Sequence, residues 1–267
     1  MTNIFAIAEQ CLCSADIETK LSLSREAWQL FLEGEFSFES DSPPLPIQSA
    51  RFPARPILVD PRDLPKRKLN SLEGRVALLH AVAHIEFTAI QLAWDHLYRF
   101  RGLPGEYYRD WLGVAQEEAT HFEMIRNRLG ELGADYGDLP AHGGLWGIAQ
   151  ETAYDLAARM ALVPRFMEAR GLDVTPGMIE KLTQANDPVS MTILERILHD
   201  EIGHVSLGSR WFRWICEQRG IDPDVEYFLF IDRHMKGQAR GPFNFQLRLQ
   251  AGFSEMELRR LKALGSG

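Results

Sequence analysis

An all-α protein built on a four-helix bundle, with an N-terminal arm and extra C-terminal helices, is the fold this sequence predicts. Three observations carry it. Apolar residues recur at helical spacing over long stretches, and alternating β-branched runs are scarce. With 267 residues, 45% of them hydrophobic, the chain is long enough to bury a sizeable core. Strong helix stops then divide the long periodic region into hairpins.

In chain order, residues 3–33 read as one or two amphipathic helices, with Trp28, Leu30, Phe31 and Leu32 near their end. Residues 36–68 form an arm carrying half of the chain's 14 prolines, which oppose helix and favour extended backbone. Its apolar residues (Phe36, Phe38, Ile47, Phe52, Ile57, Leu58, Val59) predict that residues 1–68 pack on the bundle, since a free linker would be more polar. The bundle itself spans 69–220. Its first helix covers about 70–101 and stops at Gly102-Leu103-Pro104-Gly105; its second covers about 105–132 and ends at Gly133. In the second hairpin a break is expected at Gly171–Pro176, followed by a short helix with Thr175 as N-cap and Pro176 at its first position. Pro164 should bend or bulge the third helix, because it removes a backbone donor. The extension 221–267 holds shorter helical patterns at 223–236, 242–251 and 254–264. The whole is read as a single domain.

Composition narrows the function. The formal net charge of −8 disfavours nonspecific binding to nucleic acid or an anionic membrane. No uninterrupted apolar stretch approaches about 20 residues, so no membrane span is expected. The N-terminal run MTNIFAIAEQCLC lacks a basic segment, which speaks against a signal peptide. Cys11, Cys13 and Cys216 do not make a disulfide framework, and Cys11-x-Cys13 reads as packing rather than metal binding. A reducing cytoplasm is the expected compartment.

The chemistry lies in a repeated spacing. Glu118-Ala-Thr-His121 and Glu201-Ile-Gly-His204 are two copies of Glu-x-x-His. Glu86 and Glu168 precede them by 32 and 33 residues. Positions i and i+3 of a helix share a face, so each motif offers an oxygen and a nitrogen to one point. A carboxylate-bridged pair of metal ions in a four-helix bundle uses this set: one Glu from each of two helices and Glu-x-x-His from each of the others. Glu86 and both Glu-x-x-His motifs fall on apolar stripes: Leu79, Val82, Glu86, Ile90; Trp111, Val114, Glu118, His121, Ile125; and Leu194, Ile197, Glu201, His204, Gly208, Trp211. Buried carboxylates cost several kcal/mol unless paired or metal-bound. Ion pairs with Arg159 or Arg165 are the competing arrangement, and they leave the repeated spacing unexplained. The expected metal ligands are therefore Glu86, Glu118, His121, Glu168, Glu201 and His204.

Around them, Asp200 and Glu117 each precede a ligand Glu and are expected to orient the histidine of the opposite motif, Asp200 serving His121 and Glu117 serving His204. Glu151 is a rival ligand on the third helix, but only one of Glu151 and Glu168 can be level with the others, and the spacing favours Glu168. His80, His84 and His199 read as core or surface histidines, and Glu123 and Glu195 as solvated. Trp94, Phe122, Phe166 and Trp211 are the expected lining of an apolar pocket beside the metals.

The runs HAVAHIEFTAIQLAWD, DWLGVAQEEATHF, YGDLPAHGGLW, ALVPRFMEARGLDVTP, ILHDEIGHVSLGSRWF and RGPFN resemble a bacterial ferritin-like family of unknown function, over roughly residues 50–255. More distantly, through Glu168-Ala169-Arg170, the chain is similar to the diiron hydroxylase of a methylthio-isopentenyl adenosine in tRNA. The resemblance implies the same six ligands. Four carboxylates and two imidazoles suit iron or manganese. Two iron ions are expected, with Mn or mixed Mn/Fe as the alternative. Glu118 and Glu201 would bridge them, Glu86 and His121 completing one ion and Glu168 and His204 the other.

The expected activity is oxygen activation and oxidation of a small organic substrate. An external electron donor would be required, since no flavin or nicotinamide fingerprint is present. A tRNA-modifying hydroxylase is the alternative, supported by Arg51, Arg55, Arg62, Lys66, Arg67 and Lys68 against Asp60 and Asp63, and opposed by the net acidity. Ferritin-like iron or peroxide handling is a further alternative, which leaves the residues outside a compact bundle unexplained.

Overall fold

A computed structural model describes residues 2–39, 44, 50–64 and 68–265. Ile47, Lys66 and Arg67 of the arm lie outside them. The described residues are predominantly helical, as expected, and the one sheet found among them is a minimal parallel pairing of β1 (Thr2–Asn3) with β2 (Phe36–Ser37). The chain divides into two compact units, Met1–Trp146 and Gly147–Gly267.

In the first unit, α1 (Ile4–Cys13) and α2 (Ile17–Leu32) precede a long hairpin of α3 (Leu72–Arg99) and α4 (Gly105–Glu131). Asn3 and Asp16 cap the two N-terminal helices, and the Ser71 side chain caps α3 by accepting from the Gly74 N–H. α3 packs on α4, α1 on α3 and α2 on α4. By length and hydropathy alone α3 is apolar enough to cross a membrane, but it is interrupted by Glu86, Gln91 and Asp95, and 67% of its most apolar window is buried inside the protein, as befits a core helix. The arm is partly seated. Phe36 is buried, Phe38 stacks on Tyr108, and Phe52 meets Phe87 and Trp146. Ile57 and Leu58, expected to pack, are 65% and 53% exposed. Their stretch is held by backbone instead: Ala141 N–H donates to the Ile57 carbonyl and Val59 N–H to the Ala141 carbonyl.

The second unit contains α5 (Gly144–Glu151), most of which lies within it, then α6 (Leu156–Leu162), a π-helical turn (Val163–Glu168), α7 (Ala169–Gln184), α8 (Pro188–Arg219), α9 (Pro223–His234), α10 (Phe245–Gln250) and α11 (Glu255–Leu264). The irregularity expected at Pro164 is this π-turn. The break expected at Gly171–Pro176 does not occur: α7 runs through it, with Pro176 inside the helix. A tertiary clamp outweighs the local signal. Asp173 accepts from both Nε and Nη2 of Arg248, at 2.9 and 2.8 Å, and from the Asn244 backbone N–H at 2.8 Å, which fixes the middle of the doubtful stretch in helical register. Asp187 caps α8, Pro188 opens it, and Gly220, at φ 64°, closes it in the left-handed region.

Candidate metal centre

In the first unit Glu86 lies thirteen residues before the end of α3, and Glu118 thirteen residues after the start of α4. Equal arms of one hairpin bring them level. His121, one turn beyond Glu118, shares its face. All three are buried, at 4%, 2% and 1% exposure. His121 Nδ1 lies 3.3 Å from Glu86 Oε2 and 3.4 Å from Glu118 Oε2. A charge-assisted hydrogen bond would be shorter, about 2.7–2.9 Å. Two donors bonded at right angles to one ion, at about 2.1 Å each, sit roughly 3.0 Å apart, so the observed spacing suits ligands around a shared cation. Burial pushes the His121 pKa down, but Glu118 and then Glu86 outweigh it and raise it to about 11. Two converging carboxylates thus create a strongly cation-seeking point. This buried glutamate–histidine cluster, its ligand atoms within 4.8 Å of one another, could hold a metal ion.

The second unit repeats half of that geometry. On α8, His204 Nδ1 is 3.4 Å from Glu201 Oε1; His204 is 2% exposed and the Glu201 side chain 13%. Glu168, half-buried, ends the π-turn. It lies sixteen residues before the end of α7, while Glu201 lies thirteen after the start of α8. The unbroken α7 supplies the length for which a separate short helix was expected.

The π-turn is held by a buried cation that sequence reasoning did not assign. Arg165, 0% exposed, donates from Nη2 to Glu257 Oε1 of α11 at 2.6 Å and from Nε to Ser209 Oγ of α8 at 3.1 Å. Its guanidinium also lies over the rings of Phe212, Tyr227 and Phe253, at 4.4–4.9 Å. Tyr227 Oη donates to the Arg165 carbonyl at 3.1 Å. Only Ser254-x-x-Glu257, the capping box that opens α11, was readable beforehand. Arg159 donates to Thr152 Oγ1 and the Ala149 carbonyl. Across the turn, α8 presents Gly208: a Cβ there would meet Pro164 Cγ at 2.4 Å, so only glycine admits the ring.

The remaining expected residues fall as follows. Asp200 accepts from Arg196 Nε at 2.6 Å on its own helix, with its side chain 10% exposed. Glu117 is half-buried. Glu151 ends α5, exposed beside His234, which separates it from the helix that carries Glu168. His84 Nδ1 meets Tyr136 Oη at 2.9 Å, and burial pushes its pKa down to about 4; His80 Nε2 accepts from the Gly137 N–H. His199 and Glu195 are exposed, and Glu123 pairs with Arg25. Cys11 is buried and Cys13 exposed, both free. Of the four expected pocket residues, Trp94 donates to Ser24 Oγ and Phe122 packs on Phe87 and Tyr136 within the first unit. Trp211 meets Trp214, and Phe166 lines a cavity of about 290 Å³, within the second.

Predominantly helical, with a buried carboxylate–imidazole cluster, the chain is of the class of helical proteins able to hold a metal ion in their interior. It belongs to the DUF455 family, described as proteins of unknown function, whose family model matches residues 13–259. A protein of Haemophilus influenzae, described as uncharacterized, is 46% identical over 216 residues, covering 78% of this chain and 75% of its own length. No solved structure matches.

Proposed function

We propose that this protein is a carboxylate-bridged diiron oxidase or oxygenase with a ferritin-like four-helix core, acting on a small organic substrate in the cytoplasm. The observation that carries the reading is the buried Glu86–Glu118–His121 cluster, with its internal repeat in Glu201, His204 and Glu168. In this reading the residues of both motifs serve as one ligand set. The six ligands would hold two iron ions, and manganese in one position is the variant of the same proposal. Two such ions, when bound, supply the electrons that reduce dioxygen and the oxidising power that attacks a C–H bond.

The chain's own part is to position, desolvate and move protons. His121 presents Nδ1 toward Glu118 and Glu86, and holding a cation there would require that nitrogen to be unprotonated. The apolar stripes around the ligands exclude water and strengthen every electrostatic contact there. Asp200 and Glu117 would orient the imidazoles, and Trp94, Phe122, Phe166 and Trp211 would border the substrate. An external reductase is needed to return electrons.

Elemental analysis of protein grown with ample iron and manganese tests this directly. The expected result is about two ions per chain. Glu118→Ala should abolish most of that content while leaving the helical circular dichroism in place, and Asp200→Ala should weaken metal retention by about 10–100-fold, the usual cost of losing an outer partner. Oxygen exposure of anaerobically iron-loaded protein should then change its optical and Mössbauer spectra. A chain that stays metal-free under these conditions sinks the reading.

A further inference from the structure

The run Arg240-Gly241-Pro242-Phe243-Asn244, whose sequence was singled out above and which no metal role absorbs, borders two cavities in the second unit, with Phe243 lining both. One, about 290 Å³, is lined by Phe166, Met167, Arg240, Phe243 and Leu261 among others; the other, about 320 Å³, is lined by Phe243, Phe245 and Lys262 among others. None of the six expected ligands lines either one. We propose that the first cavity is a binding site for a small planar organic anion, an aromatic carboxylate in chemical class, with Arg240 as its charge partner.

The turn is built to present that charge. Arg170 donates to the carbonyls of Arg240, Gly241 and Pro242 at 2.9, 3.2 and 2.7 Å. Those three carbonyls are thereby satisfied, and Arg170 Nη1 also pairs with Asp173 at 3.4 Å, so among the described residues the three arginines of the lining, Arg170, Arg240 and Arg248, share one carboxylate. Arg248, also on the wall, is neutralised by the buried Asp173. Arg240 is exposed, and no carboxylate is among the residues that line the cavity. The floor is apolar: Phe166, Met167, Phe243 and Leu261 offer flat or compliant surface to a ring. A planar anion satisfies both parts, because its ring covers the floor while its carboxylate takes the paired N–H donors of a guanidinium. The volume suits a small molecule rather than a macromolecular segment.

The proposal shares Phe166 with the substrate lining proposed above but does not depend on the metals, and its test is made on metal-loaded and on metal-stripped protein. Binding of 2-naphthoate and of its uncharged analogue 2-naphthylmethanol is measured by calorimetry. Saturable binding of 2-naphthoate is expected in both preparations. Arg240→Ala should weaken it by about tenfold, as expected for one lost hydrogen-bonded charge, and leave the alcohol's weaker binding unchanged. Phe243→Ala should weaken both. No saturable binding of 2-naphthoate, equal affinity for the two compounds, or an Arg240→Ala variant that binds 2-naphthoate as the parent does, would overturn the assignment.

Discussion

The helix that carries Glu86 runs unbroken for 28 residues, whereas the one that carries Glu168 passes through a π-turn, and each is backed by a different kind of buried cation. Behind α3 sits Lys20 of α2, 0% exposed. Its ammonium donates to the Cys11 carbonyl at 2.5 Å and to Gln91 Oε1 at 2.6 Å. Behind the π-turn sits Arg165, with the Glu257 carboxylate, a hydroxyl and three aromatic faces. Among the described residues the ammonium donates to neutral acceptors, and burial drags its pKa down to about 8; the guanidinium has a countercharge. One half rests on regular helix packing with a costly cation behind it. The other buys its irregular backbone with a compensated one. The same division appears one turn beyond each motif histidine: Ile125 follows His121, and Gly208 follows His204, where Pro164 needs the space.

The sharpest way to break the comparison is Glu257→Ala. It leaves Arg165 charged and buried without its carboxylate, so a loss of about 3–5 kcal/mol is expected in urea unfolding. A loss below about 1 kcal/mol, the range of an exposed pair, would show that the π-turn does not depend on this contact. Next in size is Gly208→Ala, which should cost about 1–3 kcal/mol by overpacking against the Pro164 ring. Combining it with Pro164→Ala should recover part of that loss. Ile125→Ala in the first unit fails in the opposite sense, by leaving a cavity, and should cost about 2–5 kcal/mol with no second-site change to relieve it. Equal, additive losses in both units would erase the proposed difference.

The smallest effect concerns Lys20 and is read through pH. Its folded pKa, about 8, lies below the ordinary lysine value of 10.5. Between those values the unfolded chain binds more protons, so this group makes stability rise with pH across that window, while below it the full cost of burying the charge is present. Cys11, raised to about 12 from 9.0 by burial, acts in the opposite sense at higher pH. The quantity to measure is therefore the difference between the parent and Lys20→Met. Their stability gap should change between pH 7 and 10 in favour of the parent. A gap that stays constant would mean that Lys20 titrates normally.

Much of the buried glutamate–histidine cluster was legible because burial and spacing are local facts. Glu118 and His121 had to share a face, and Leu79, Val82 and Ile90 showed which face Glu86 occupied. Both hairpins and the disturbance at Pro164 followed from the same reasoning. The error at Gly171–Pro176 came from treating glycine and proline as sufficient to end a helix. Asp173 is gripped by Arg248 and Asn244, more than 70 residues away, and no window around residue 173 contains them. Arg165 failed for a similar reason. Its partner was sought among the nearby ligand carboxylates, whereas the carboxylate it pairs with belongs to a capping box in α11. Ile57 and Leu58 looked like core by type alone, yet their stretch is anchored through main-chain hydrogen bonds.

The Arg165–Glu257 pair also sets an order of events during synthesis. Glu257 lies 92 residues downstream of Arg165, which at roughly 5–20 residues per second is several seconds of elongation. Lys20 and Gln91, by contrast, are both made before α4 begins. Ribosome-stalled chains ending before residue 257 should therefore protect α3 and α4 from protease while leaving the Val163–Glu168 segment open to cleavage; equal protection of the two would contradict this order. Maturation is then unequal by construction: the straight half of the molecule can be finished while the bent half still waits for its last strut.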